Sequence, residues 1–179
     1  MLRKIFWLAL LMLLASGCAQ PTISEGDSRL SSANGLLYCG SEPFSGSIRS
    51  EDTQGNLVAI EHYRAGKKHG VAKCWYADGR LAERRPYCDG EKTGWHCAWY
   101  PSGQRRFRYH FSHNQNDGDF WEWYDTGRPY RFRQFKAGLE IGQKIWRRDG
   151  QIYANYVHQD HQLAGLLGGR LCDATQLGP

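Results

Sequence analysis

The chain has 179 residues, of which 21 are glycine, 7 tryptophan and 10 tyrosine, and its formal net charge is +5. This length is sufficient for one domain, and the mild charge gives no support for nucleic-acid binding. Glycine and aromatic residues are enriched, and leucine and isoleucine are scarce after the N-terminal apolar segment. This composition indicates many short strands joined by tight turns, so we expect an all-β fold.

The N-terminus has the pattern of a secretory signal. Two cations precede an apolar run from Ile5 to Ala15, and a small-residue segment then leads into Cys18. The run is shorter than the about 20 residues that a membrane-spanning helix needs, whereas its charged start and small-residue end are typical of a cleaved signal peptide. We predict that residues 1–17 are removed after export.

The segment Leu14-Ala15-Ser16-Gly17-Cys18 resembles the lipobox of bacterial lipoproteins, although that family prefers leucine where Ala15 stands. The resemblance implies that Cys18 is acylated, for example with palmitate, and becomes the new N-terminus. Two or three acyl chains anchor a protein stably. In a Gram-negative cell Ala19 then implies the outer membrane, facing the periplasm. The alternative is an ordinary signal peptide with an incidental cysteine.

The segment between Gln20 and Asn34 is rich in small and polar residues with scattered charges. Such a composition cannot bury enough apolar surface to offset the entropy of ordering. We therefore predict a lipidated N-terminus and flexible tether over residues 18–35.

A 24-residue repeat fills most of the remaining chain. Each unit has a glycine that starts a strand, a Trp-Tyr pair that ends it, and a glycine in the following turn. The recurring residues are Gly70, Gly94 and Gly118; Trp75, Trp99 and Trp123, followed by Tyr76, Tyr100 and Tyr124; and Gly79, Gly103 and Gly127. We predict a repeat domain over residues 36–172 and a C-terminal tail over residues 173–179.

Each unit predicts one β-hairpin. A strand such as Val71–Tyr76 has apolar or aromatic residues at alternate positions, and a turn such as Asp78-Gly79 follows it. Glycine adopts positive φ at little cost, so we expect two-residue loops. No stretch has a sustained helical apolar period. A single hairpin cannot bury its own apolar face, which predicts an elongated, single-layer antiparallel meander of stacked hairpins.

The glycine and Trp-Tyr cores, from Gly70 to Gly79, Gly94 to Gly103 and Gly118 to Gly127, resemble the bacterial variant of the MORN repeat. The resemblance covers roughly residues 38 to 166. It implies a meander of hairpins twisted into a shallow trough. Bacterial proteins with this repeat are often labelled as antitoxin components.

An arginine ladder on the return strands is the first candidate site, formed by Arg84, Arg85, Arg105, Arg106, Arg108, Arg131 and Arg133. Two-residue loops would place Trp99 opposite Arg106, and Glu122 opposite Arg131. We favour the interpretation that such pairs hold the sheet together. The functional alternative is a basic, aromatic-lined trough for an anionic partner, because the guanidinium fork suits phosphate.

A column of tryptophans is the second candidate, comprising Trp75, Trp99, Trp123 and Trp146. We expect this column to be the core of the thin sheet, and the alternative is a surface on which sugars stack. Each following tyrosine must point the opposite way in a strand, so one of the two aromatic sets should be partly exposed.

Cysteine and histidine give no recognisable metal or catalytic signature. After Cys18 the cysteines are odd in number, so at most two disulfides can form and their pairing stays open: Cys39, Cys74, Cys88, Cys97 and Cys172. Cys74 and Cys97 fall on strands that are not adjacent in a meander. Zinc is not expected because no two cysteines are closely spaced, and no catalytic motif is present. We expect no cofactor, no metal ion and no enzyme activity.

These patterns favour a non-catalytic, membrane-anchored lipoprotein that acts as a binding or scaffold module of the bacterial envelope. Its partner would be a protein, an anionic envelope lipid or a cell-wall polymer, and not nucleic acid. The alternative is an antitoxin or immunity-like component that neutralises a toxin. Export argues against a cytosolic version of that role.

Overall fold

The computed structural model describes residues 21–159 and 162–168, and within them the chain forms strands and turns without a helix. The strands, in chain order, are β1 (Thr22–Ser24), β2 (Leu30–Ala33), β3 (Leu36–Cys39), β4 (Glu42–Pro43), β5 (Gly46–Glu51), β6 (Leu57–Arg64), β7 (Lys67–Lys68), β8 (Gly70–Trp75), β9 (Leu81–Cys88), β10 (Glu91–Lys92), β11 (Gly94–Trp99), β12 (Arg105–Ser112), β13 (Gln115–Asn116), β14 (Gly118–Trp123), β15 (Pro129–Lys136), β16 (Leu139–Trp146), β17 (Ile152–Gln159) and β18 (Gln162–Leu166).

One long sheet holds most of these strands. From β5 to β18 the principal strands follow one another in chain order, each antiparallel to the next, and the short strands β7, β10 and β13 extend β6, β9 and β12. The predicted fold class, an all-β antiparallel meander of consecutive hairpins, is confirmed. A separate small sheet contains β2, β3 and β4.

Strand structure begins earlier than expected. β1 pairs in parallel with β5, with Thr22 beside Ser47, and β2 pairs with β3 around the turn Asn34-Gly35. The prediction of a flexible tether as far as residue 35 is therefore wrong for these segments. An edge strand needs only its backbone to pair, and Asn-Gly is a strong hairpin-turn signal. The N-terminal segment with Cys18 and the C-terminal tail lie outside the described residues.

Three-residue turns line one long edge of the sheet. In the β8–β9 hairpin, Tyr76 N–H donates to the Arg80 carbonyl (2.9 Å) and Gly79 N–H donates to the Tyr76 carbonyl (2.9 Å). Gly79 has φ +81°. This is the pattern of a tight turn followed by a left-handed residue. The prediction of two-residue loops at the Asp-Gly and Ser-Gly turns is thus wrong.

The two-residue loops lie on the opposite edge, where one repeat connects to the next. Their two central residues have positive φ, as a type I′ turn requires: Ala65-Gly66, Asp89-Gly90, His113-Asn114 and Ala137-Gly138. Each turn also bonds to the preceding connection, for example through Gly90 N–H to the Lys68 carbonyl at 2.7 Å. Backbone bonds therefore link successive repeats along this edge.

A bulge recurs in every return strand. Cys74 lies opposite Glu83 but Trp75 lies opposite Leu81, so Ala82 is an extra residue. The equivalent extra residues in the other hairpins are Val58, Arg106, Tyr130 and Tyr153. A bulge increases local twist and changes the direction of nearby side chains, which alters the cross-strand partners of the tryptophans.

The sheet has one buried face and one half-buried face. The buried side chains Phe111, Phe120 and Phe135 pack together, with Phe120 only 3% exposed. Pairing places them on one side of the sheet, which we call the phenylalanine face: Ala72, His96, Ala98, Phe107, Tyr109, Phe111, Phe120 and Phe135. Burying one such phenylalanine contributes about 1.5–3 kcal/mol, so this face is the core.

Candidate functional site: the tryptophan face

The opposite side of the sheet carries every tryptophan of the described residues. We call it the tryptophan face: Trp75, Trp95, Trp99, Trp121, Trp123 and Trp146, together with the cations Lys73, Arg84, Arg105, Arg108 and Lys144. These indoles are half-buried, apart from Trp95, which is 39% exposed. The expectation that the tryptophan column forms the core is wrong, because the buried aromatic rings lie on the phenylalanine face.

Strand pairing aligns cations and rings in a row across this face. Arg84 is paired with Lys73 on one side and Cys97 on the other, and Cys97 is paired in turn with Arg108. Arg108 is then paired with Trp121. Paired residues lie within about 4.5–5.5 Å of each other, so Lys73 and Arg84 place two positive charges side by side, and beyond the uncharged Cys97 the row continues with Arg108 and the ring of Trp121.

Three cations of this face, Arg105, Arg108 and Lys144, stack on indoles. The Arg108 guanidinium lies 4.4 Å from the centre of the Trp95 ring, and Arg105 lies 5.8 Å from the centre of the Trp123 ring. Trp121 stacks on Trp123 with ring centres 6.0 Å apart. A cation above an exposed ring gains about 0.5–1 kcal/mol. The stacking holds each guanidinium in place while it keeps its charge.

The predicted arginine ladder divides between the two faces. Four of its arginines reach a glutamate on the phenylalanine side: Arg85 and Arg106 contact Glu83 at 2.6 and 2.7 Å, and Arg131 and Arg133 contact Glu122 at 2.7 and 3.3 Å. These four arginines agree with the favoured interpretation that arginine pairs hold the sheet together.

The other three ladder arginines, Arg84, Arg105 and Arg108, lie on the tryptophan face. In the part of the chain that the structure describes, none of them contacts a carboxylate. Arg105 and Arg108 are stacked on rings but not neutralised, and Arg84 lies beside Lys73 and Cys97 without a counter-charge. A guanidinium without a carboxylate partner keeps N–H donors for an external anion, although the Nε of Arg108 is itself buried.

Of the two expected cross-strand pairs, one is present and the other is not. Glu122 lies opposite Arg131, as predicted. Trp99 lies opposite Arg105 rather than Arg106, because Arg106 occupies the bulge and turns toward Glu83. The sequence contained no signal that distinguished these two neighbouring arginines.

Tyrosine hydroxyls connect the repeats beneath the tryptophan face. Tyr76 donates to the Trp99 carbonyl at 2.7 Å, and Tyr100 donates to the Trp123 carbonyl at 2.9 Å. Tyr124 donates to the Trp146 carbonyl in the same way, at 2.9 Å. Each bond satisfies a carbonyl at the end of a strand and fixes the position of the next tryptophan. Sequence reasoning placed these tyrosines but missed their role.

His96 is a buried polar residue that sequence reasoning also missed. It is 3% exposed, and its Nε2 lies 2.9 Å from the Pro86 carbonyl, to which the neutral ring can donate. Desolvation lowers the pKa of His96 to about 4, since burial disfavours the charged imidazolium. The ring is therefore neutral at pH 7 and acts as part of the core.

The cysteines of the described residues are unpaired: Cys39, Cys74, Cys88 and Cys97. Cys74 lies on the phenylalanine side and Cys97 on the tryptophan face, so the sheet separates their thiols. Cys172 lies outside the described residues. Cys88 meets two further ligand-type side chains, His69 and Asp89, which sequence reasoning did not bring together.

Within residues 21–159 and 162–168, no helix has the length and apolar character needed to cross a membrane. Comparison with protein-family models gives no match to this chain, and comparison with curated proteins gives none either.

Proposed function

We propose that this chain is a non-catalytic binding module of the bacterial envelope and that the tryptophan face is its contact surface for an anionic partner. The main support for the proposal is that the arginines on the two faces of the sheet differ in their ion pairing. Those on the phenylalanine side contact glutamates, whereas Arg84, Arg105 and Arg108 have no carboxylate partner in the described chain.

The chemistry of the surface favours a ligand that combines negative charge with a flat or apolar part. Phosphate or carboxylate groups would accept hydrogen bonds from the guanidinium groups, and the half-buried indoles would contact the remainder of the ligand. Phosphate-bearing envelope lipids and anionic cell-wall polymers both have this chemistry. The proposed acyl anchor on Cys18 would hold the sheet close to such ligands.

The test compares two triple variants of a chain that begins at Ala19, so that acyl chains do not contribute to binding. In one, Arg84, Arg105 and Arg108 are changed to alanine. In the other, three exposed arginines at the three-residue turns, Arg80, Arg128 and Arg148, are changed instead. The two variants carry the same change in net charge, and circular dichroism confirms that each retains its sheet.

Binding is measured by co-sedimentation with phosphatidylglycerol vesicles, lipopolysaccharide and peptidoglycan. Each basic residue near an anionic surface contributes about 1 kcal/mol. We therefore expect the face variant to bind at least one probe on the order of 10- to 100-fold more weakly, with a much smaller loss for the turn variant. Equal losses would show that net charge alone matters, and a parent chain that binds none of the probes would contradict the proposal.

A further inference from the structure

Three side chains with metal-ligand chemistry converge at one repeat connection. His69 directly precedes β8, Cys88 ends β9, and Asp89 begins the two-residue turn that follows. One ligand atom from each lies within 4.8 Å of the other two. The β8–β9 hairpin brings them together by pairing Gly70 with Tyr87.

The distances in this cluster are close to those of a zinc site. Tetrahedral zinc, with bonds of about 2.3 Å to sulfur and 2.0–2.1 Å to nitrogen or oxygen, holds its ligand atoms roughly 3.3–3.6 Å apart. In the structure His69 Nδ1 lies 3.3 Å from Asp89 Oδ1, and Cys88 Sγ lies 3.9 Å from Asp89 Oδ2. The two distances involve different oxygens of Asp89, so side-chain rotation would have to bring one of them within reach of a metal shared with His69 and Cys88.

Neighbouring groups fix the position of Asp89. Its turn is held by Gly90 N–H bonded to the Lys68 carbonyl at 2.7 Å, and Arg64 Nη2 donates to both carboxylate oxygens at 2.6 and 2.9 Å. A metal-binding carboxylate is commonly held by a hydrogen bond in this manner.

The cluster is not part of the repeat. The next two units carry other residues at these three positions. His69 is replaced by Thr93 and Asp117, Cys88 by Ser112 and Lys136, and Asp89 by His113 and Ala137. All three units nevertheless form the same strands and the same type of turn. The fold of the repeat therefore does not require these three side chains.

An open cavity lies beside the cluster. Its lining includes Cys88 and Asp89 and also two further potential ligands, Glu91 and His113. A bound cation would thus have open space beside Cys88 and Asp89, where water can supply a fourth ligand. Sites that keep an open position are typical of exchangeable or functional metals.

We propose that His69, Cys88 and Asp89 bind a divalent cation of borderline softness, with Zn²⁺ as the best match to one imidazole, one thiolate and one carboxylate. On binding, the Cys88 thiol loses its proton to solvent and the metal–sulfur bond forms. The 3.3 Å bond from Asp89 N–H to His69 Nδ1 is replaced if that nitrogen becomes the ligand. Arg64 is a positioning residue that bonds both carboxylate oxygens and fixes the Asp89 side chain beside His69 and Cys88.

The test is a Co²⁺ titration of the metal-free, full-length chain in detergent, made without a histidine tag. We expect one saturable site with a thiolate-to-cobalt absorption band that Zn²⁺ removes. Cys88→Ser should abolish the band and His69→Ala should weaken binding at least 10-fold. Cys97→Ser, on the tryptophan face, is the matched control and should change neither. A band that persists in Cys88→Ser, or is lost equally in Cys97→Ser, would overturn the proposal.

A second measurement needs no substitution. Mass spectrometry follows alkylation of each thiol in the unmodified chain, with and without one equivalent of Zn²⁺. We expect Zn²⁺ to slow the alkylation of Cys88 at least 10-fold and to leave the rate at Cys97 unchanged. Equal protection of both thiols, or protection of neither, would contradict the site.

Discussion

The hydroxyl of Tyr100 donates a hydrogen bond of 2.9 Å to the backbone carbonyl of Trp123, one full repeat further along the chain. The same bond recurs in the preceding and following repeats. The tyrosine of one unit thereby fixes the strand end that carries the tryptophan of the next. The half-buried tryptophan face is thus supported from within the sheet.

Tyr100→Phe removes this bond and keeps the ring. We expect the free energy of unfolding to fall by about 0.5–1.5 kcal/mol, because the Trp123 carbonyl loses its partner. Urea unfolding measures the change. Tyr130→Phe is the matched control, since the Tyr130 hydroxyl makes no hydrogen bond to the described residues, and it should change stability by less than about 0.5 kcal/mol. Equal effects would rule out a structural role for the Tyr100 bond.

Ala137 has φ +51° in a two-residue turn. A side chain with Cβ is strained there by about 1–2 kcal/mol, and glycine is not. We expect Ala137→Gly to raise the melting temperature, with a gain of about 1 kcal/mol. Ala77→Gly, in a three-residue turn without positive φ, should instead lower stability by about 0.4–1 kcal/mol, because glycine makes the unfolded chain more flexible. A loss at both positions would show that Ala137 is not strained.

His96 makes stability depend on pH. Its pKa is about 4 in the folded chain, compared with the ordinary histidine value of 6.5 that applies to the unfolded chain. Between these two pH values the unfolded chain therefore binds more protons than the folded chain. The contribution of neutral His96 to the free energy of unfolding is fully present above pH 6.5 and decreases as the pH falls toward 4. Below pH 4 there is no further loss from this residue. Between pH 7 and pH 5 the loss is roughly 2 kcal/mol.

Urea unfolding at these two pH values, for the parent chain and for His96→Phe, isolates this contribution. The variant leaves the Pro86 carbonyl without its partner but cannot be protonated. It should therefore be less stable at pH 7 and less sensitive to acid. An identical pH dependence in the two chains would mean that His96 is not held neutral by burial.

Glu122 accepts hydrogen bonds from both Arg131 and Arg133, and its side chain is 14% exposed. Glu122→Gln leaves two partly buried guanidinium groups without their counter-charge, so we expect a loss of about 1–3 kcal/mol. Glu51→Gln removes the exposed partner of Arg49 and should cost less than about 1 kcal/mol. Thermal unfolding compares the two, and equal losses would contradict a structural role for the Glu122 pairs.

The sequence period predicted the architecture because each hairpin repeats the same glycine and Trp-Tyr positions, as in Gly94, Trp99 and Tyr100. Alternation also predicted that tryptophan and tyrosine point in opposite directions. It could not show which face is buried, since both faces carry aromatic rings. That outcome depends on close packing between repeats, as between Phe111 and Phe120 with ring centres 5.4 Å apart.

Turn length was the second feature of the fold that the sequence did not predict. Asp78-Gly79 and Asp89-Gly90 are the same dipeptide, but the first lies in a three-residue turn and the second in a two-residue turn. Because of the three-residue turns and the bulges that follow them, Trp99 lies opposite Arg105 instead of Arg106, and the arginines of the ladder fall on both faces of the sheet. The approach of His69 to Cys88 also depends on strand register, which residue types alone do not specify.

The described tryptophans all lie on one face, so their fluorescence reports on the proposed contact surface. The most direct measurement is acrylamide quenching of tryptophan emission in the chain that begins at Ala19, with and without a saturating amount of the anionic probe that binds it. We predict a shift of the emission to shorter wavelength and reduced quenching when the probe is bound. Unchanged emission and quenching at saturation would contradict the assignment of the tryptophan face as the binding surface.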